Sequence, residues 1–483
     1  MPDSPAPTTL SETEHTTLAG LCDRAHARAR ETGAPVLACF AFTVAQPDVL
    51  RVSAAMGNGG GFRFYWERPK DDFALAAGGV ASRLQASGAQ RFREIDRDVH
   101  AALGAAEVGG EGPLAETGPY ALGGFAFFDE LPADVWPGFG AAQACVPEWL
   151  VLSEGGRSGA MVHAWVGAQE HPGPCVTRLA TRAAEVRAAA GAHAVGSGTP
   201  LTHPENSAFT MADGVESHRR FVELVRDALE RIHAGRMDKV VLAREVQLHC
   251  HAAPSPHAIL EQLRRAYPGC FNFLVDPGAG EVFVGATPER LARFNGPTVR
   301  LGALAGSAPR GDRAEADDAL GQRLMDSAKE RWEHRIVVDA ILDAVAPLGG
   351  EVERPEAPQL VKLSNVQHLY TPITLHADAP VSPYTLLERL HPTPAVGGHP
   401  RPVALEFIAH QEHFVRGWYA GPVGWLNARG EAEFAVALRS GTLSAERVRL
   451  FAGNGIVGDS DPEREYFETQ LKLQPLLSAL AHE

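Results

Sequence analysis

The sequence predicts an α+β fold in which antiparallel sheets pack against helices. The run KVVLAREVQL (residues 239–248) is rich in β-branched residues, and its alternation places Lys239, Val241 and Ala243 on one face of a strand. Short turns, and not crossover helices, join the strand pairs, which is typical of antiparallel sheets. Amphipathic helical stretches such as residues 218–234 separate these pairs. Layers of antiparallel sheet and helix follow from these observations.

The first part of the chain is predicted to be an N-terminal α+β region. Residues 1–15 are polar and rich in Pro, Thr and Ser, so we expect a disordered lead. Residues 16–190 contain helical patterns at 18–30 and 178–190 and strand-like runs such as VLACFAFTVA, FRFYWE and GGFAFFD. In the last of these, Gly123 and Gly124 are interpreted as a mark of tight sheet packing. The Gly/Ser/Pro-rich residues 191–208 are predicted to be a connection, and the N-terminal part is expected to be integrated into one fold.

The second part, residues 209–483, shows sharper patterns. A helix over residues 218–234 should end at Gly235, and the strand of residues 239–248 follows. Further strands are predicted for FNFLVD, EVFVGA, EAEFAVALRSG and RVRLFAG. The longest helix is expected over residues 314–345, and the loop HPTPAVGGHP comes after it.

Composition limits the classes of function. The net charge of −15 argues against non-specific binding to nucleic acid or to an anionic membrane, and an anionic substrate would need a local basic pocket. The six cysteines are scattered with no CxxC pair, and no apolar run reaches about 18 residues. We therefore expect a reduced, cytoplasmic protein.

Residues 451–472, FAGNGIVGDSDPEREYFETQLK, concentrate groups that suit an anion and a metal. A glycine turn is predicted there, followed by a helix with Ser460 and Glu463 as a capping box. At about 100° per residue, Glu465, Glu468 and Lys472 project from one helical face. The GxGxxG pattern also suggests a dinucleotide site, but the strand closes an apparent antiparallel hairpin and the chain ends one helix later. A surface helix with solvated charges is the structural alternative.

A second helix carries the same spacing of carboxylates. In AKERWEHR, Glu330 and Glu333 are three residues apart, as Glu465 and Glu468 are. Carboxylates from two helices can form an octahedral Mg²⁺ site, because a hard cation prefers oxygen ligands. Zinc is disfavoured, since His334 is the one histidine near either pair. Solvated helix faces are again the alternative.

Three further residues are candidates for chemistry, each with a structural alternative. Lys239 opens an apolar strand, where it could act as a general base or simply extend its ammonium to solvent. Glu289 follows a strand and a proline, and could be a general acid or a surface residue. Arg439 could bind a carboxylate in bidentate fashion or form an ordinary ion pair. His391 lies in a proline-stiffened, glycine-containing loop that suits a pocket wall, whereas His368 could equally be a core residue or a substrate contact.

Together these segments resemble the chorismate-utilising enzymes, and most closely the isochorismate synthases. The motifs are KVVLARE, GATPERL, LAGSAPRG, AKERWEHR, NVQHLYTPI, LHPTPAVGGHPR and AGNGIVGDSDPEREYFET, in this order, and they cover residues 210–475 densely. The resemblance implies the chorismate-utilising enzyme fold, with antiparallel sheets and flanking helices around one deep active site.

The resemblance also implies roles. In these enzymes water adds at C2 of chorismate while the C4 hydroxyl leaves. Lys239 matches the lysine that activates the water, and Glu289 matches the acid that protonates the hydroxyl. Glu333 and Glu468 match the Mg²⁺ ligands, and Glu330 and Glu465 are expected to lie just behind them or to reach the ion through water. The positions that match substrate-binding groups are Arg439, Lys472, Gly453, Gly455, Gly306 and Ser307, with His391, Ala395 and Val396 as the wall near the ring.

Residues at a few positions distinguish isochorismate synthases from relatives that catalyse other reactions of chorismate. Ammonia-using relatives usually carry glutamine where Lys239 stands, and some use a lysine nucleophile where this chain has Ala305. No GxCxG-type glutaminase segment is visible, so no glutaminase subunit is expected. Salicylate synthases tend to carry threonine where Ala395-Val396 stand, and they remain the alternative enzyme; a non-catalytic relative is the alternative of another class. Relatives of this kind are often monomeric, and the product could serve menaquinone, siderophore or salicylate synthesis.

Overall fold

A computed structural model describes residues 10–57, 61–194, 201, 209–211, 214–362 and 366–481. Most of the predicted connection at residues 191–208, and the start of the predicted disordered lead, lie outside this description. The helices are α1 (Glu12–Thr32), α2 (Val49–Ala55), α3 (Arg91–Gly104), α4 (Pro113–Thr117), α5 (Pro172–Ala192), α6 (Gly214–His233), α7 (Pro256–Ala266), α8 (Ala314–Asp326), α9 (Ala328–Val345), α10 (Pro383–Leu390), α11 (Arg401–Gln411) and α12 (Pro462–Ala481).

The strands of the N-terminal part are β1 (Val36–Thr43), β2 (Arg63–Arg68), β3 (Phe73–Gly78), β4 (Ser82–Ala86), β5 (Ala106–Gly110), β6 (Tyr120–Phe125), β7 (Ala142–Val146), β8 (Trp149–Glu154) and β9 (Arg157–Val166). Those that follow are β10 (Phe209–Met211), β11 (Lys239–Cys250), β12 (Phe271–Asp276), β13 (Val282–Thr287), β14 (Arg290–Asn295), β15 (Thr298–Pro309), β16 (Glu351–Glu353), β17 (Gln359–Lys362), β18 (Val366–His376), β19 (Gly398–His399), β20 (Pro422–Asn427), β21 (Ala432–Val436), β22 (Ser440–Leu443) and β23 (Arg447–Ile456).

Two large sheets run through both parts of the chain. The first has the order β10-β11-β23-β22-β13-β12-β2-β3-β8-β9-β1-β5, and β19 also pairs with β11. The second has the order β16-β18-β15-β14-β21-β20-β6-β7-β4, and β17 also pairs with β18. Among the described strands, β1 and β5 form the one parallel pair. Because β2 pairs with β12 and β6 with β20, N-terminal strands complete both sheets. The α+β fold is confirmed.

The core lies in two layers on either side of the first sheet. In β1, Leu37 and Cys39 belong to a cluster that also contains residues of the second sheet, such as Trp425. The alternate residues Ala38 and Phe40 belong to a cluster with α1, α5, α7 and α12. Successive side chains of a strand point to opposite faces, so β1 is buried on both. No helix in the described ranges is apolar and long enough to cross a membrane.

The structure corrects several predicted boundaries. Helix α1 begins at Glu12, where the capping box of Ser11 and Glu14 closes its first turn, so the last residues of the predicted lead are helical. The single helix predicted over residues 314–345 is two helices, because Ser327 adopts an extended conformation and caps α9. The tight packing predicted at Gly123 is confirmed, since a Cβ there would come 2.0 Å from the Gln143 carbonyl oxygen.

The predicted glycine turn is correct for Gly458, which lies in the turn between β23 and α12, and wrong for the two glycines before it. Gly453 and Gly455 continue β23, which runs antiparallel to β11 with Gly455 opposite Val241. No Rossmann-type loop is therefore formed. The predicted capping box of α12 is absent as well: Asp461 accepts the Arg464 N–H at 2.9 Å, and Ser460 accepts that of Val457.

Candidate active site

One cavity gathers most of the predicted site residues where strands of both sheets meet α9 and α12. Its walls come from β11, β15, β23 and the loop before β19, together with residues just before β14 and β22. The predicted residues that line it are Lys239, Glu289, Gly306, Ser307, Glu333, Ala395, Val396, Arg439, Gly453, Gly455 and Lys472.

Lys239 is almost completely buried, with 1% of its surface exposed. Its Nζ lies 2.6 Å from Glu333 Oε1 on α9, so strand and helix meet through an ion pair inside the cavity. Gly455 makes this pair possible. A Cβ there would come 2.7 Å from Glu333 Oε1 and 3.1 Å from Lys239 Cε. The glycine is needed for close approach of these side chains, and not for a positive φ.

Glu289 is held by the backbone between two sheets. Its N–H donates to Thr287 Oγ1 at 3.2 Å, and its carbonyl accepts the Val436 N–H at 3.0 Å. The side chain is 7% exposed, and burial raises the pKa of its carboxyl to about 7, although Lys239 acts in the opposite direction. A carboxyl with this pKa is partly protonated near neutral pH and can donate a proton.

Arg439 contributes a positive charge without an anionic partner. Among the described residues, no carboxylate oxygen forms an ion pair with its guanidinium within 4.0 Å. Burial lowers its pKa, and its φ of 49° places a non-glycine residue in the left-handed region between β21 and β22. A half-buried guanidinium without a counter-ion suits a bound carboxylate.

The four predicted metal ligands come from α9 and α12. Lys472 lies 2.9 Å from Glu468 Oε1, and its Nζ also donates to Asn454 Oδ1 at 2.8 Å. Glu330 accepts the Ser307 N–H at 3.3 Å, and Glu465 accepts a hydrogen bond from the Asn454 amide. Glu330, Glu465 and Glu468 adjoin the cavity but do not line it.

The carboxylates of the two helices influence one another. Burial and Glu333 raise the pKa of Glu330, with a further contribution from Glu468. Burial raises the pKa of Glu465 to about 7, again with a contribution from Glu468. Burial would raise the pKa of Glu468 too, but Lys472 holds it below its usual value.

In the described ranges, no three Asp, Glu, His or Cys side chains lie close enough together to bind a metal ion. Two of the four carboxylates, those of Glu333 and Glu468, form ion pairs with lysines instead. The donor set of four carboxylates that repel one another nevertheless fits a hard divalent cation.

Some residues were misplaced or missed by sequence reasoning. The prediction that His391 lines the wall is wrong: its ring is buried against Phe127 and Phe92, and its Nε2 lies 3.1 Å from the Phe127 carbonyl oxygen. His368 does line the cavity, with its Nδ1 2.9 Å from Ser307 Oγ.

Arg416, Tyr419 and Asn454 line the cavity and were not predicted. Asn454 stands between two predicted glycines, which could have drawn attention to it. Arg416 donates to the carbonyl oxygens of Val396 and Val241, at 2.9 and 2.7 Å, and so ties the loop before β19 to β11. Nothing in the local sequence signals this role.

Comparison with known families agrees with this geometry. The family of chorismate-binding enzymes matches residues 24–481. The chain belongs to this family. A salicylate biosynthesis isochorismate synthase of Pseudomonas aeruginosa is 38% identical over 475 residues, covering 98% of this chain and 96% of that one. The isochorismate synthase MenF of Bacillus subtilis is 34% identical over 429 residues, covering 88% of each chain.

The solved structure of MenF, the menaquinone-specific isochorismate synthase of Escherichia coli, has the same fold. It superposes with a TM-score of 0.73 at 26% identity, covering 97% of this chain and 100% of that one. The chorismate-utilising fold is therefore confirmed.

Proposed function

We propose that this chain is an isochorismate synthase, an isomerase that converts chorismate to isochorismate. The observation that carries the proposal is the presence of Lys239 and Glu289 in the wall of one cavity, the first as a buried amine and the second as a carboxyl with a pKa of about 7. The two relatives described above, named as isochorismate synthases, support it.

The reaction needs a base and an acid in one site. Water forms a bond to C2 as Lys239 takes its proton, and the bond from C4 to oxygen breaks as Glu289 gives a proton to the leaving hydroxyl. Atoms and charge balance, because one water enters and one leaves. Lys239 accepts this proton as a neutral amine, and its Nζ lies 2.6 Å from Glu333 Oε1.

Binding uses the remaining charges of the cavity. Chorismate carries two carboxylates, and Arg439 and Lys472 both line the wall. Arg439 is the better placed for a bidentate contact, because Lys472 is already engaged by Glu468 and Asn454. Mg²⁺ held by Glu333 and Glu468, with Glu330 and Glu465 behind, would neutralise and orient the ring carboxylate.

We further propose a cytoplasmic monomer that needs no glutaminase subunit. All six cysteines are free thiols, which supports a reducing compartment. Lys239 stands where the ammonia-using relatives resembled by this chain usually carry glutamine, and this supports water as the nucleophile.

The test is product analysis. Purified protein is incubated with chorismate, with and without Mg²⁺, and the products are separated by liquid chromatography. Isochorismate in equilibrium with chorismate, only when the metal is present, is the expected result. Salicylate with pyruvate would assign the chain to the salicylate synthases, and unchanged chorismate would make it a non-catalytic relative.

A further inference from the structure

We call the cavity lined by Lys239 and Glu289 the catalytic cavity. A second cavity shares β11 and α12 with it, but contains none of the residues proposed to act in catalysis, to bind the metal or to bind chorismate. Its volume is about 290 Å³. Its walls come from α6, from residues 243–247 of β11, from residues 412–414 and from Tyr466 and Gln470 of α12. Three of the lining side chains are aromatic: Phe221, Phe414 and Tyr466.

Arg244 supplies a buried positive charge to this cavity. It is 6% exposed, its guanidinium lies 4.5 Å from the Tyr466 ring centre, and its Nε donates to Thr469 Oγ1 at 2.7 Å. Nη1 makes one long contact of 3.5 Å with Ser217 Oγ, and Nη2 has no partner. In the described part of the chain, no carboxylate forms an ion pair with Arg244.

Of the five buried arginines in the described ranges, three pair with carboxylates, whereas Arg91 and Arg244 form no ion pair. Arg244 lines the second cavity, and Arg91 lines neither cavity. Arg416 pairs with Glu412, and Arg449 pairs with Glu281 at 2.7 Å. Arg439, in the catalytic cavity, also has no carboxylate partner, and a carboxylate of the substrate is expected to bind there. Burial of an uncompensated charge is costly, so the same argument points to an anion beside Arg244.

The remaining wall defines the ligand. The other arginine and the glutamates of the wall are already paired: Arg220 with Glu216, Glu412 with Arg416, and Glu245 with Arg449. The unpaired guanidinium of Arg244 can take one carboxylate, and three aromatic side chains offer flat apolar surface for a ring. We propose that the second cavity binds a small aromatic monocarboxylate, with its carboxylate on Arg244 and its ring against Phe221, Phe414 and Tyr466, and that this ligand is an effector of the enzyme.

The walls of the two cavities are connected in three places. Arg244 holds Thr469, the neighbour of Glu468 on α12, and it lies on the strand that begins with Lys239. Glu412, in the wall of the second cavity, accepts the Ala243 N–H at 2.7 Å and pairs with Arg416, which lines the catalytic cavity. A ligand on Arg244 therefore contacts the elements that position the base and a predicted metal ligand.

Binding is tested by calorimetric titration of the full chain with benzoate, and with benzamide as the uncharged probe. We expect benzoate to bind, benzamide to bind at least about tenfold more weakly, and Arg244→Gln to weaken benzoate binding by a similar factor. Arg439→Gln is the control for the catalytic cavity and should leave benzoate binding unchanged. Loss of binding in Arg439→Gln but not in Arg244→Gln would overturn the proposal.

A second variant separates loss of the site from loss of the fold. Leu224→Trp fills the cavity from α6 and leaves Arg244 in place. It should also abolish benzoate binding, with an unchanged circular dichroism spectrum. Binding that survives this substitution would place the ligand elsewhere and refute the assignment.

The effector role rests on the proposed function and has its own readout. Benzoate should change the KM for chorismate in the wild type and have no effect in Arg244→Gln, because coupling between two sites requires both. An equal response in both proteins, or none in either, would overturn the effector role. If neither protein converts chorismate, the proposed function fails while the binding result stands.

Discussion

Gly455→Ala tests the close approach on which the catalytic cavity depends. The added methyl group would lie 2.7 Å from Glu333 Oε1, whereas ordinary contact begins at 3.4 Å. Glu333 or β23 must therefore move by about 0.7 Å, and Lys239 must move with its partner. Misplacement of a reacting group by about 1 Å can lower the rate about 10²-fold. We expect kcat/KM to fall by that order.

The free energy of unfolding of the same variant is set by two opposing contributions. Overpacking lowers the free energy of unfolding by about 1–3 kcal/mol. Replacement of a strand glycine by alanine raises it by about 0.5–1 kcal/mol, because alanine reduces the conformational entropy of the unfolded chain. Urea unfolding should therefore show a loss of about 2.5 kcal/mol at most, with the slope unchanged.

Two matched substitutions complete the Gly455→Ala experiment. Gly191→Ala, on α5 with nothing within 4 Å of the added carbon, should be neutral for activity. Gly453→Ala, where the nearest atoms are 3.0 Å away, should have an intermediate effect. A Gly455→Ala enzyme with the rate of the wild type would refute the argument that this glycine makes room for the ion pair.

Four further substitutions test the assigned roles. Lys239→Ala should lower kcat by at least about 10²-fold and leave chorismate binding, measured by calorimetry, largely intact. Because Glu289 donates as the acid and burial raises its pKa to about 7, kcat should fall as the pH rises through about 7, and Glu289→Gln should be almost inactive at every pH. Arg439→Gln should raise the KM for chorismate about 10-fold to 100-fold, with a smaller change in kcat. Glu468→Ala should raise both the Mg²⁺ concentration for half activity and the KM.

Each of these has an outcome that contradicts it. A Lys239→Ala enzyme with nearly normal turnover would remove the lysine from the mechanism. A flat pH profile between 6 and 9 would remove Glu289 as the acid, because its protonated fraction must fall over that range. An unchanged KM in Arg439→Gln, or a wild-type metal titration in Glu468→Ala, would disprove those assignments.

The sequence predicted which residues line the cavity better than it predicted their contacts. Lys239 could be singled out because a strongly hydrated ammonium is unusual at the start of an apolar strand. Gly455 was assigned to the site for the wrong reason, since a backbone turn was expected where the structure has a strand and a side-chain contact. Local pattern identifies an unusual residue, but the contact that requires it depends on α9, which is far away in the chain.

Other residues depended on contacts that no local pattern encodes. His391 was expected at the pocket wall, but its position is decided by aromatic partners from the N-terminal part, such as Phe127. Arg416 joins two segments through backbone carbonyl groups, and neither partner can be inferred from spacing. The break at Ser327 was missed because its cap competes with a helical pattern that is otherwise continuous.

The balance of charge explains why the metal and the substrate are expected to bind together. Glu330, Glu333, Glu465 and Glu468 bring up to four negative charges to a site whose wall contains the cations Lys239, Arg416, Arg439 and Lys472. Three of these cations are already paired with carboxylates, so the site alone offers a dianion one free positive charge and several carboxylates that repel it. A divalent cation reverses that balance. For this reason Glu468→Ala should weaken the binding of metal and of chorismate in parallel, and not one without the other.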